Sequence, residues 1–460
     1  MRSRVRAGLG FLGGSAFVLA AVLAACRFTD DLTGGAALPS ECDADAPQSI
    51  TNCGACGRVC ASGPNGFAAC VDGGCQVMCA PGFGDCDEDS TNGCEVYVLD
   101  AGAHCGRCGH DCQGGSCQTG VCGRVMLRSG DGTPIHIATN NGSTSVYGIT
   151  PFGRVVSVPK AGGDASYLTE GSASPRLDPP PRIAIANNVL YATSWRKPPW
   201  GPDGGAAPGA VLSMYVDGGG LRSIAANEPY AITATPVSTA QAYVYWSEGT
   251  PPPIWADAGA PDASDPPTIL RRAVGPAFTS ATVIADAGVA AIYSMASDSN
   301  GVFWTNTGAY TESHRGTLER YLNMSGTGGP VRDELVGAEH KLAPFAVAAT
   351  SSSVFFTATG AGGGTLRNLL LSCGASGCLQ GPSRIAYPYD ARFVAVSGAT
   401  IFWTDGDGTI RSLLNGVEST LSRDDRTTSP WDIAVDDTTI YWTAYANAGA
   451  NVYLFKIARP

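Results

Sequence analysis

The sequence predicts an all-β chain, a seven-bladed β-propeller preceded by a small disulfide-rich module. Three observations predict it. One strand pattern recurs seven times after residue 123, 14 of the 17 Cys fall between Cys42 and Cys122, and 60 Gly with 30 Pro in 460 residues oppose long helices. Hydrophobic residues reach 44%, enough for a large core, so disorder over the whole length is excluded. The balance of 29 Lys+Arg against 40 Asp+Glu, with no basic run, argues against nucleic-acid binding.

At the start of the chain, Arg2, Arg4 and Arg6 precede an uncharged apolar stretch from Ala7 to Ala25. A positive n-region, a hydrophobic h-region and small residues at the end have the form of a secretory signal over residues 1–25. The string Leu23-Ala24-Ala25-Cys26 resembles the lipobox of bacterial lipoproteins. That resemblance implies lipidation of the Cys26 thiol, cleavage before it and acylation of the new amino terminus, so that Cys26 anchors the mature chain to a membrane. Several acyl chains hold firmly, since each buried methylene contributes about 0.8 kcal/mol. The competing reading is an uncleaved transmembrane helix, against which Gly10, Gly13, Gly14 and the Cys after two Ala weigh. Arg27, and not Asp, follows Cys26, which in the resembling Gram-negative lipoproteins implies export onward to the outer membrane or cell surface. Residues 26–41 then read as a polar tether.

Residues 42–122 form the disulfide-rich module. Cys42, Cys53, Cys56 and Cys60 are separated by 10, 2 and 3 residues, and Cys94, Cys105, Cys108 and Cys112 repeat those spacings at an offset of 52. A Cys-x4-Cys pair follows each quartet, Cys70/Cys75 and then Cys117/Cys122, with Cys79 and Cys86 between the two units. Duplication of a small module accounts for this. The stretch holds only twelve Val, Leu, Ile, Met, Phe or Tyr and no Trp, so it needs covalent or metal staples. In an exported chain, disulfides are the default, each worth about 2–4 kcal/mol. Zinc held by Cys-x2-Cys with His104 and His110 is the competing reading. Spacing leaves the pairing open. The acidic run Asp85 to Asp89 lacks the Gly and Glu positions of an EF-hand loop and reads as a solvated turn.

The strings NCGACGRVC and HCGRCGHDC, with GFGDCDEDSTNGCE between them, resemble the Cys-rich repeats of myxobacterial-type predicted surface lipoproteins. The resemblance implies location and architecture and carries no catalytic residue.

From residue 123 to 460 a different period takes over. The second strands of its copies read VYGIT, LYATS, VYWSE, VFWTN, VFFTA, IFWTD and IYWTA, with aromatics at Tyr147, Tyr191, Tyr245, Phe303, Phe355, Phe402 and Tyr441. In IFWT both faces are apolar, so the strand belongs to a sheet sandwiched between two others. Seven such sheets, each unable to bury its own faces, fit a radial arrangement of about 48 residues per blade. The seventh copy is short of a fourth strand, and the spare strand Arg124–Arg128 is placed to supply it. IFWTD resembles the YWTD strand of receptor-type propellers, and the general plan is similar to NHL propellers. Of the seven copies only the one ending in Asp405 keeps the final Asp of YWTD.

The turns between second and third strands carry the length variation, with insertions at Trp195–Gly209, Gly249–Pro267 and Thr307–Gly316. Insertions on one face of a repeat fold mark a contact surface, with Trp195, Trp200, Trp255 and Tyr310 as aromatic anchors; tolerated loops are the competing reading. Cys373 and Cys378 read as a disulfide pinning the opposite end of a blade-five hairpin. No catalytic residue and no metal-ligand spacing emerges, and there is no nucleophile elbow, P-loop or dinucleotide fingerprint. No cofactor is implied; calcium at Asp405 and Asp407 in TDGDGT competes with a two-residue hairpin turn. The leading expectation is a lipid-anchored envelope or surface protein that binds a protein or glycan partner through the propeller face, without catalysis. The rival is a lactonase-like hydrolase or lyase with a metal in the central channel, which requires several carboxylates or His on the innermost strands. A third reading makes the Cys module an adhesive or cell-wall spacer.

Overall fold

The computed structural model describes residues 49–89, 92–170, 182–194, 209–226, 229–249, 269–275, 280–286, 292–298, 301–306, 316–322, 331–360, 369–378, 381–423, 428–446 and 451–460. The leader, Cys26, the tether and Cys42 lie outside the described residues. The chain divides into two compact units: the first ends at Cys60 and takes in 70–75, and the second comprises 61–69 with 76–460.

In the first unit, disulfides Cys53–Cys70 and Cys60–Cys75 hold a stretch with almost no regular structure. The Cys53 N–H donates to Arg58 O, the Cys60 N–H to Ile50 O, and the Gly57 N–H to Asn52 Oδ1. Gly54 has φ +68°, and a Cβ there would lie 2.1 Å from Gly73 O, so both the turn and the close approach exclude a side chain.

The second unit contains the other Cys repeat, and the same bonds recur 52 residues on. Cys105 N–H donates to His110 O, Cys112 N–H to Gly102 O, and Gly109 N–H to His104 Nδ1. Disulfides Cys105–Cys117 and Cys112–Cys122 match those of the first repeat, while Cys79–Cys94 and Cys86–Cys108 cross-link the segment between. These sulfurs are bonded to one another, so the clusters Cys86/His104/Cys108 and Cys105/Cys112/Cys122 offer no thiolates, and His104 caps a turn instead of binding zinc.

The rest of this unit is a seven-bladed β-propeller of four-stranded antiparallel sheets. Blades one to six run in chain order from the axis outward or its equivalent hydrogen-bonded sequence, as in blade six, Ala391–Ser397, Thr400–Asp405, Thr409–Leu414 and Val417–Arg423. Blade seven consists of Thr428–Val435, Thr439–Ala446 and Asn451–Ala458, and its outer strand is Val125–Ser129 from before blade one. The ring is thus clasped by two ends of one chain, with Leu127 buried beside Tyr441 and Leu454. Ile401, Phe402 and Trp403 are all buried, as the two-sided pattern requires. Trp246, Trp304, Trp403 and Trp442 occupy the same register in the second strands of blades three, four, six and seven, with Phe356 there in blade five, and all are fully buried.

The last residue of the aromatic–Trp–Thr pattern has its own task. The innermost strands of blades three to seven each contain a β-bulge, which takes one main-chain N–H out of the ladder. A hydroxyl from the second strand accepts that N–H: Ala231 to Ser247, Ser294 to Thr305, Ala346 to Thr357, Phe393 to Thr404 and Asp432 to Thr443, with Arg182 to Thr193 in blade two. The same hydroxyl then donates to a carbonyl of the next blade. Thr193 donates to Tyr230 O, Thr305 to Phe345 O, Thr357 to Arg392 O, Thr404 to Trp431 O and Thr443 to Ile135 O. Five of the seven junctions, from blades two, four, five, six and seven to the next, are therefore stitched by a hydrogen bond beside the axis. Blade one departs, with Ile149 at this position; its carbonyl accepts from Ile135 N–H.

Candidate ligand site at the mouth of the central channel

The six residues whose N–H groups are accepted in this way, Arg182, Ala231, Ser294, Ala346, Phe393 and Asp432, form one ring with His136 of blade one, one residue from each blade. They line a cavity of about 150 Å³ on the propeller axis, with Tyr293 beside them. The ring lies in the first half of the innermost strands, near the ends at which the second strands finish. Pro229 pairs with Glu248, Ala391 with Asp405 and Thr428 with Ala446, just before the second-to-third turns. The cavity therefore lies toward the face on which the long insertions start.

Three charged or titratable ring members come from adjacent blades. His136 Nδ1 lies 3.1 Å from Asp432 Oδ2 and 3.1 Å from Arg182 Nη1. Asp432 Oδ2 also accepts the Ile137 N–H at 2.9 Å. Arg182 Nη2 donates to Tyr230 Oη at 3.3 Å, and its guanidinium stands 5.3–5.7 Å from the ring centroids of Tyr230, Tyr293 and Phe393. An aromatic box of this kind holds a cation through the ring quadrupoles. Burial, and then the Arg182 charge, lower the His136 pKa to about 4 despite Asp432, so the imidazole is neutral at pH 7. Burial also holds the Tyr293 phenol well above its usual range. Two atoms of this cluster, His136 Nε2 and Arg182 Nε, are buried with no hydrogen-bond partner among the described residues.

On the same face, the turn 387–390 leads into blade six and exposes Tyr387 at 80% and Tyr389 at 47%. Buried Asp405 fixes this turn by accepting the N–H groups of Tyr389 and Asp390, and Gly406 N–H donates to Asp390 O. Arg411 Nε lies 3.3 Å from Asp405 and Arg411 Nη2 3.1 Å from Asp407, while Asp407 Oδ1 accepts from Thr409. These two carboxylates are thus engaged by main-chain donors and a guanidinium, an environment built for a rim and unlike a calcium cage. The turn beyond Asp405 has three residues, Gly406, Asp407 and Gly408, one more than a two-residue hairpin, because Asp407 folds back onto Thr409 and Arg411.

Trp195, Trp200, Trp255 and Tyr310 lie outside the described residues. Cys373 and Cys378 are disulfide-bonded at the opposite end of blade five. A second, larger hollow of about 690 Å³ lies on that opposite side, lined by Asp111, Lys160, Asp436, Tyr441 and Lys456 among others. Its charges pair with one another: Lys160 Nζ reaches Asp436 Oδ2 at 2.8 Å, Tyr441 Oη donates to the same oxygen, and Lys456 Nζ donates to Lys160 O. Here the second Cys repeat meets blade seven, with His110 Nε2 2.7 Å from Arg459 O and Cys105, Cys112 and Cys122 in one apolar cluster with Phe455 and Ile457. Of the acidic group Asp85/Asp87/Glu95, two members hold turns, Glu95 accepting Cys86 N–H and Asp87 accepting Asn92 Nδ2 and Asp89 N–H.

The ring was not named from sequence, although a signal exists. In five blades the ring residue precedes the pattern's Thr by eleven positions.

No family model matches the sequence, and no curated protein does. Among solved structures the chain is similar to the RRP9 WD40 repeats at 8% identity, TM-score 0.48, covering 73% of this chain and 97% of that one. It is similar to YCF48 bound to a D1 peptide at 8% identity, TM-score 0.47, covering 74% and 97%. It is also similar to the Pan2 WD40 domain of Neurospora crassa at 12% identity, TM-score 0.46, covering 72% and 95%. At these identities and scores, none bears on a ligand or a site residue of this chain.

Proposed function

We propose that this chain is an exported, lipid-anchored protein of the outer membrane or cell surface that binds a protein or glycan partner through the insertion-bearing face of its propeller, without catalysis. One observation carries the reading. The second Cys repeat packs on the side of blade seven opposite the insertions, so the chain enters the propeller away from its variable face. Further support comes from the disulfides, which suit an oxidising compartment. The exposed Tyr387 and Tyr389 on a turn fixed by Asp405 supply a rigid aromatic contact of the type that dominates binding surfaces. The likeness of the Cys repeats to those of myxobacterial-type surface lipoproteins agrees with the same location.

The rival metal-dependent hydrolase or lyase finds less support. The described ring brings one carboxylate and one imidazole together, and a guanidinium 3.1 Å from that imidazole disfavours a metal ion in the same place.

The test is in two parts, on the full chain in a Gram-negative host. An alkyne fatty acid should label the wild type and not the Cys26→Ala variant. Photo-crosslinking residues at 195, 255, 310 and 387 should trap a discrete partner in the envelope, while those at 376 and 398 on the other face should not. Label that persists without Cys26 sinks the anchor, and adducts formed equally from both faces sink the binding face.

A further inference from the structure

We propose that the channel mouth is a receptor for a carboxylate group presented by the partner, taken up between His136 Nε2 and Arg182. The inference deepens the binding reading above and rests on it. A buried polar atom without a partner is costly, and among the described residues two such atoms belong to side chains that line this cavity, Nε2 of a histidine only 1% exposed and Nε of Arg182. A ligand oxygen that accepts from both returns that cost, in the neutral tautomer that carries its proton on Nε2 while Nδ1 accepts from Arg182 Nη1. Arg182 is held by hydrogen bonds to the Tyr230 and Tyr293 phenols, one contact to His136 and three aromatic faces, and among the described residues no carboxylate takes it bidentately, so its planar fork suits a planar carboxylate.

Charge decides which anion. Arg182 and Asp432 balance, and His136 is neutral at pH 7, so the ring offers donors and a local cation without a net positive field. A dianion such as phosphate would meet the Asp432 carboxylate with twice the repulsion and with a tetrahedral shape that the fork does not match. A monovalent carboxylate meets half of it and fits the cavity of about 150 Å³. Because both unpaired atoms are shut off from solvent, entry requires Arg182 to swing on its aromatic box. That motion breaks its cation–π contacts to Tyr230, Tyr293 and Phe393.

Saturation-transfer NMR on the full chain in detergent tests this, with N-acetylalanine, galacturonate and inorganic phosphate as probes and N-acetylalaninamide as control. Saturable transfer is expected to N-acetylalanine or to galacturonate, with Kd in the range of about 1–20 mM, and none to the amide or phosphate. The arm that binds identifies a peptide or a sugar acid as the source. Arg182→Gln should weaken binding at least about tenfold, Arg182→Lys should weaken it less, and His136→Phe should abolish it. If Arg182→Gln fails to fold, His136→Phe decides the matter, and if that too fails, the acid–amide comparison on the wild type does so alone. Equal transfer to acid and amide, or absence of saturation by any carboxylate, overturns the proposal. Such a result leaves the crosslinking outcome untouched, so loss of the carboxylate site and loss of the binding face are separately visible.

Discussion

Thr443 in blade seven donates its hydroxyl to the main-chain carbonyl of Ile135 in blade one, 2.9 Å away and 308 residues earlier. The same oxygen accepts the Asp432 N–H at 3.2 Å, so one buried hydroxyl closes the circle at the axis just as Val125–Ser129 closes it at the rim. Valine has the same shape and no hydroxyl. Thr443→Val leaves a buried N–H and a buried carbonyl without this partner, and is expected to cost about 2–4 kcal/mol. Chemical denaturation measures it; a midpoint and slope equal to wild type would show that the stitch contributes nothing.

The outer clasp gives a second expectation. Leu127 is buried against Tyr441 and Leu454 within a strand that joins blade seven from the front of the propeller. Leu127→Asp buries an unpaired charge and unzips that edge, and should lower stability by about 3–5 kcal/mol. Hydrogen exchange should then rise first in Asn451–Ala458, the strand left at the edge. Uniform exchange across all blades would contradict an edge-first opening.

The propeller was legible because apolar residues on both faces of IFWT and its relatives require neighbours on both sides, and the missing fourth strand pointed to Arg124–Arg128. Less visible was why Thr ends the pattern. Its role depends on a bulge in another strand, and a bulge has no fixed residue type. The ring was hidden for a related reason: His136, Arg182, Ala231, Ser294, Ala346, Phe393 and Asp432 share a register and no chemistry. The eleven-residue step back from Thr locates five of them; blade three has Ser247, sixteen residues after Ala231, and blade one has Ile149 in place of Thr. Disulfide pairing was open because spacing does not encode it; the crossings Cys79–Cys94 and Cys86–Cys108 depend on how the hairpins lie together.

Acid should weaken the fold through His136. The unfolded chain takes up this proton near the model-peptide pKa of 6.5 and the folded chain only near 4, so protons favour unfolding across that window. The effect is absent above pH 6.5 and grows to about 3 kcal/mol of lost stability by pH 4. His136→Gln removes the titration. Its stability should therefore fall less steeply than wild type between pH 6.5 and 4, and parallel curves would rule out a depressed imidazole.

The Cys repeats predict one further bond. Cys94 and Cys108 of the second repeat bond to Cys79 and Cys86. Their counterparts 52 residues earlier are Cys42 and Cys56, for which the second pair Cys79 and Cys86 is already taken. A Cys42–Cys56 disulfide is the expected product. Peptide mapping without reduction should recover it, and a mass for either Cys joined elsewhere would refute it.

The rim depends on one buried carboxylate. Asp405 is fully buried, accepts two N–H groups from the turn bearing Tyr387 and Tyr389, and faces Arg411. Burial raises its pKa, while the two N–H bonds and Arg411 favour the charged form. Asp405→Ala deletes all three contacts and leaves the turn's donors unpaired, yet Arg411 keeps Asp407 and Glu418. The expected cost is about 2–4 kcal/mol, concentrated in the turn, with new protease cleavage at Tyr387 or Tyr389 while the blade cores stay protected. If the turn serves the partner, crosslinking from position 387 should fall in this variant more than from 195 or 255. Unchanged cleavage and unchanged crosslinking together would mean that Asp405 does not hold the rim.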